Sequence, residues 1–180
     1  MKTNKWVAVA LVLFAFLAID AGAATKKELD RDGKKALQAL TSKEKSARML
    51  NGKAVAVLVF PNMVKAGFMF GGQVGEGVLL RGGKPSAYYN SVGASYGWQA
   101  GAQKFGYALF FMNEKSLSYL DSSEGFEVGM GPSFVLVDEG KGKSMTSTTA
   151  TQDVYAYIFS QSGLMAGLGL QGTKITKIDK

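Results

Sequence analysis

The spacing of apolar residues changes once along the chain, at Gly52. Before it, Leu29, Gly33, Ala36, Leu37, Leu40, Ala47 and Leu50 recur every three or four residues, which puts them on one helical face with Lys and Arg around the rest. Thr41 with Glu44 three residues on has the form of a capping box, so the pattern predicts two short helices breaking near Thr41, with Asn51-Gly52 as the stop. After Gly52 the period becomes two. Over 91–103, Val92, Ala94, Tyr96, Trp98, Ala100 and Ala102 share one face, and Ser91, Gly93, Ser95, Gly97, Gln99, Gly101 and Gln103 the other. This predicts a long half-buried strand whose nearly bare second face lets another backbone approach. Phe68, Phe70, Gly72, Val74, Glu76, Val78 and Leu80 form a second row, closed by a turn at Gly82-Gly83-Lys84-Pro85. Shorter strands are expected at 54–60, 107–112, 126–130, 134–137, 154–159 and 164–170, a helix at 114–120, and a Ser/Thr-rich loop at 141–151. The fold class that fits is α+β: a curled, mostly antiparallel β-sheet or partial barrel with a basic N-terminal amphipathic helical segment. The β core is expected to melt cooperatively even without residues 25–40.

Residues 1–23 read as a signal peptide. Lys2 and Lys5 precede an apolar run of 14 residues from Trp6 to Ile19, and Ala21-Gly22-Ala23 puts small residues where a signal peptidase reads. Cleavage is expected after Ala23, leaving a single domain over 24–180, with a helical part at 24–52 and a Gly/aromatic-rich β part at 53–180. The run is shorter than the roughly 20 residues of a spanning helix. Localisation is therefore expected to be periplasmic or secreted.

Composition narrows the chemistry. The 180 residues include no Cys and no His, which removes disulfides, thiolate and imidazole metal sites, thiol nucleophiles and His-based triads. Charge is concentrated at one end. Between Lys26 and Lys53, nine basic residues face four acidic ones, whereas the remainder to Lys180 is close to neutral and holds 20 of the 23 glycines. A basic amphipathic face of this kind suits an anionic membrane surface.

Three motif matches carry no chemistry in their context. Gly167-x-Gly169-x-x-Gly172 has dinucleotide-binding spacing, but only eight residues remain after it, too few for the required helix and acidic partner. Gly93-x-Ser95-x-Gly97 resembles a nucleophile elbow but lies mid-strand in a protein without His. Ser42-x-x-Lys45 lacks the companion motifs of penicillin-interacting enzymes and lies on a charged helix. Of the carboxylates, Glu76 between two glycines is the one placed to be partly buried, and Asp121, Glu124 and Glu127 gather near a turn. Pairing with Lys or Arg, or a solvated rim, is the expected role of all four.

Four ordered blocks resemble the SYLF domain: Ala54-Val-Ala-Val-Leu-Val-Phe-Pro61, Lys65-Ala-Gly-Phe-Met-Phe-Gly-Gly-Gln-Val-Gly-Glu-Gly-Val-Leu79, Tyr96-Gly-Trp-Gln-Ala-Gly-Ala-Gln103 and Gly163-Leu-Met-Ala-Gly-Leu-Gly-Leu-Gln-Gly-Thr-Lys174. The resemblance spans about residues 30–178. It implies a β-rich α+β domain that binds membrane lipids, phosphoinositides in eukaryotic members, aided by a basic N-terminal segment; actin binding belongs to fungal members. The expectation is thus a non-enzymatic lipid-binding or membrane-surface-binding protein of the bacterial envelope, peripherally associated. Lys34, Lys35, Lys43, Lys45 and Arg48 would meet anionic head groups, and exposed aromatics or a sheet pocket would take acyl contacts. No cofactor, metal or nucleic-acid partner is expected. Two alternatives stand: an envelope protein-interaction or stress protein using a sheet edge, and a small outer-membrane β-barrel.

Overall fold

Gly82 and Gly83, at φ 54° and 76°, make the two-residue turn that only residues free of a Cβ adopt cheaply, and they join the two longest strands. Strand β1 (Ala56–Arg81) and β2 (Lys84–Phe111) pair antiparallel along their length, with register shifts between Phe60 and Met63, Phe68 and Phe70, and Leu79 and Leu80. The computed structural model describes residues 23–122, 126–127, 131–137, 145–146, 148, 150–163 and 172–180. Helix α1 (Lys26–Lys43) and α2 (Lys45–Asn51) precede the hairpin, and α3 (Glu114–Ser122) follows it. Next come β3 (Phe126–Glu127), β4 (Phe134–Val137), β5 (Val154–Gly163) and β6 (Thr173–Ile178). β2 is the hub. Its far edge pairs antiparallel with β6 at Tyr88 to Gly93 and with β5 at Gln103 to Phe111, while β3 extends β6 and β4 extends β5 in parallel. The sheet is mixed, and among the described residues it does not close.

Segments expected to be separate strands, 54–60 with the row to Leu80, and 91–103 with 107–112, are single strands of 26 and 28 residues. Bulges bend them where the sequence pattern breaks. The bend brings β1 against itself. A Cβ on Gly77 would lie 2.8 Å from the Val59 carbonyl oxygen, and one on Gly75 would lie 2.9 Å from that of Asn62. Inside the fold, Leu58, Phe60, Met63, Leu79, Tyr89, Tyr107 and Leu109 form one buried cluster with Leu117 and Leu120 of α3 and Ile175 of β6. Phe60 and Tyr107 stack at 4.5 Å between centroids.

The outward face carries a second cluster. Val57, Val59, Val78, Leu80, Tyr88, Phe110 and Tyr157 are covered by Leu29, Leu37 and Leu40 of α1 and Ala47 and Leu50 of α2. Gly33 seats directly on Val78, whose Cγ1 would lie 2.2 Å from a Cβ there. The helical segment therefore forms one wall of the second cluster, and its loss would uncover Val78, Leu80 and Tyr88.

Three further points concern the capping, the faces of β2 and the last strand. The capping box is Thr25 with Glu28, and Thr41 lies inside α1 with its hydroxyl donating to the Leu37 carbonyl, so the break falls at Glu44. In 91–94 the small residues face inward and the apolar ones outward: Ser91 and Gly93 are buried, whereas Val92 is 50% exposed. The reason is the close approach anticipated for the bare face, since a Cβ on Gly93 would meet Gln73 Nε2 and Thr173 Oγ1 at 2.9 Å. β6, which the sequence reading missed, alternates buried Thr173 and Ile175 with exposed Lys174 and Thr176. All of the expected leader (1–23) but Ala23, the strand at 164–170, Glu124, most of the Gly167 motif and much of the 141–151 loop lie outside the described residues.

Candidate lipid-binding surface

α1 and α2 present the predicted basic residues to solvent because their apolar faces are committed to the sheet. Lys34, Lys35, Lys43, Lys45 and Arg48 are all exposed. Among the described residues no carboxylate pairs with the four lysines, unlike Arg31, which binds Asp32 at 2.8 Å. Arg48 differs from them. Its Nε donates to the Thr41 carbonyl and its Nη2 to that of Ser42, both at 2.9 Å, so its guanidinium closes the last turn of α1. The structure thus places four of the five candidates free for an external anion and gives the fifth a structural task.

Lys26, not singled out in the sequence, is held at the start of α1. Its ammonium donates to the Tyr88 hydroxyl and lies 4.5 Å from that ring's centroid, while Tyr88 donates to Asp30 at 2.7 Å. The Tyr88 hydrogen bond raises the Lys26 pKa.

Where α1 ends, a cleft of about 580 Å³ opens between the α1–α2 junction and the sheet. Leu40 and Lys43 form one side, Leu136 and Val137 of β4 another, and Tyr157, Ile158 and Phe159 of β5 the floor. Tyr157 is buried, and among the described residues its hydroxyl makes no hydrogen bond of full geometry, only a weak one with the Ser46 side chain. Burial pushes its pKa up, and Ser46 on α2 opposes that shift. Lys43 brings an ammonium to the lining and Glu44 a carboxylate, and Ser160 and Gln161 add polar groups to the apolar walls. Sequence reading could not find this cleft, because it arises from the parallel pairing of β4 with β5, about 20 residues apart and remote from α1.

The carboxylates take paired or exposed positions. Glu76 accepts from Lys180 Nζ at 2.9 Å, Asp121 from Tyr89 at 2.6 Å and from Lys177 at 3.3 Å, and Glu127 is exposed. Burial, with the Asp121 hydrogen bond second, pushes the Tyr89 phenol far up. Tyr107, fully buried, donates to Ser91 at 2.5 Å, and its pKa is driven up by burial. Among the described residues no three acidic side chains converge as a metal site, and no helix is long and apolar enough to cross a membrane.

Two comparisons with known proteins bear on this geometry. No curated protein matches the sequence. Residues 92–180 match the family model described as Ysc84, Las17-binding protein actin regulator. The match takes in β2 from Val92 onward and everything after it, including the third and fourth blocks quoted above, while α1, α2 and β1 precede it. Residues 92–180 are thus similar to the Ysc84 (SYLF) family, in agreement with the resemblance of the four blocks.

Proposed function

We propose that this protein binds lipid at a membrane surface of the bacterial envelope, without catalysis, after removal of its leader. One observation carries the reading: Lys34, Lys35, Lys43 and Lys45 stand exposed on α1 and α2 with no carboxylate partner among the described residues. Each basic residue close to an anionic leaflet gains about 1 kcal/mol, so four set an upper bound of about 4 kcal/mol. Phosphoinositide-type or other anionic head groups are the ligands this charge fits, and the cleft beside Lys43 offers apolar surface for an acyl chain. The family's lipid-related and actin-related character supports the same reading. The barrel alternative loses support because α1 and α2 cover the outward face that a membrane barrel would present to lipid.

The test is co-sedimentation of the mature protein with anionic and with neutral vesicles. Binding to anionic vesicles should be tighter and should weaken as salt shortens the Debye length from about 10 Å at 0.1 M to about 3 Å at 1 M. Changing the four lysines together to Gln keeps good helix formers and should remove most of that binding. A folded quadruple variant that sediments like the parent at low salt overturns the reading.

A second reading has its own observation. β4 is a four-residue strand at one end of the strand order, with only β5 beside it among the described residues, so its other edge can accept an extended segment of a partner protein. The family's description as Las17-binding agrees with a protein partner. Binding that ignores both salt and vesicles would favour it.

A further inference from the structure

The residue just before α1 is held at both of its backbone polar groups. Ala24 N–H donates to Glu76 Oε2 at 2.9 Å, and the Ala24 carbonyl accepts from Lys180 Nζ at 2.7 Å. Lys180 also donates to Glu76, so one carboxylate and one ammonium, drawn from β1 and from the stretch after β6, enclose a single alanine. Their side chains are only 23% and 12% exposed. The next residue, Thr25, caps α1. Ala23, on the other side, is exposed.

A lone amide N–H is readily satisfied by water and has no need of a sheltered ion pair. The sequence places a leader-cleavage position at this bond, with small residues at 21 and 23. Hydrolysis of the Ala23–Ala24 bond by a leader-removing protease adds water across it. The hydroxyl goes to the Ala23 carbonyl carbon and the proton to the Ala24 nitrogen. At neutral pH the products are a carboxylate on the released piece and an ammonium on Ala24. We propose that Glu76 and Lys180 form a built receptor for that new α-ammonium group, so that processing fastens α1 to the hairpin and to the end of β6 at once. Glu76 then faces two cations in a partly sheltered site, where charge-assisted hydrogen bonds are stronger than neutral ones. The proposal is independent of the lipid reading.

Three measurements test it. The intact mass of the exported protein should correspond to a chain beginning at Ala24; any other start overturns the proposal. The chain beginning at Ala24 should melt about 2–4 °C above one that retains Gly22-Ala23, and Glu76→Gln should abolish the difference. Equal melting temperatures, or a difference that survives in E76Q, overturns it. If E76Q folds too poorly to melt cooperatively, Glu76→Asp serves in its place, since it keeps the charge but draws it back by one methylene, and the difference should shrink. An amine reagent that attacks only the uncharged α-amino group should modify Ala24 about tenfold more slowly in the parent than in E76Q, with E76D between the two. Equal rates overturn the assignment.

Discussion

Gly77 lies against the ring of Phe60, 17 residues earlier on the same strand, at a distance that leaves no room for a side chain: a Cβ there would be 2.7 Å from Phe60 Cδ1. The contact lets β1 double over and bury its two halves against each other. Gly77→Ala should destabilise by about 1–3 kcal/mol, because both the ring and the Val59 carbonyl must shift. Gly82→Ala meets no atom within 4 Å and should lose only the smaller cost of a positive φ, about 1 kcal/mol. Urea denaturation of the pair separates crowding from backbone strain, and equal losses would refute the self-packing of β1.

Helix α1 should behave as core. Leu40→Ala, at a position 4% exposed, should cost about 2–5 kcal/mol, and deletion of 25–40 should leave no cooperative thermal transition. Calorimetry of the deletion decides: a sharp transition would mean that α1 only rests on the sheet.

Tyr157→Phe removes a buried hydroxyl that, among the described residues, makes no hydrogen bond of full geometry and only a weak one with Ser46. The variant should be as stable as the parent or more so by up to about 1 kcal/mol, where most core tyrosines lose stability on the same change. A clear loss in chemical denaturation would place a partner on that oxygen.

Asp153 accepts from Asn113 Nδ2 at 2.7 Å and from Ser133 Oγ and N–H at 2.8 and 3.0 Å, tying the starts of β4 and β5 to the turn before α3. These hydrogen bonds, that of Asn113 first, hold its pKa below the usual carboxylate value. A carboxyl depressed in the folded state stabilises above its unfolded pKa of about 3.9, and that contribution is lost as pH falls from there through the folded value. Asp153→Asn should therefore be less stable than the parent at pH 7 and should show a shallower loss below about pH 4. Urea midpoints across that range check both the sign and the window.

Filling the cleft separates its role from that of the surface charge. Leu136→Trp places a larger side chain at its wall without altering charge. Vesicle recruitment at low salt should survive, while uptake of a fluorescent single-chain anionic lipid should fall; unchanged uptake would remove the cleft from the mechanism.

Local chemistry was readable in the sequence and long-range closure was not. The Gly82-Gly83 turn, the buried face of α1 and the ends of β4 follow from turn residues and periodicity, which act within a few residues. Alternation at 91–94 revealed two faces but not which one is buried. Val92 faces out because Gln73 and Thr173 occupy the space on the other side of Gly93. The four exposed lysines were visible as a solvated helix face, whereas the retention of Arg48 by the end of its own helix depended on where α1 stops. Glu76 was singled out for its glycine neighbours, yet its partners Ala24 and Lys180 lie 52 and 104 residues away in sequence.

The central place of β2 also dictates when this protein can become itself. A nascent or translocating chain that has emerged as far as Phe111 owns the hairpin but none of its outer neighbours. β5 must return across some 50 residues to find Gln103 to Phe111, and β6 across 80 to 90 to find Tyr88 to Gly93. Contacts of such high sequence separation put acquisition of the native state in the slow regime of milliseconds to seconds. Until β5 and β6 arrive, one full edge of a 28-residue strand stands unpaired, so the interval between emergence and closure is the stage at which self-association competes and at which a holding chaperone has most to protect.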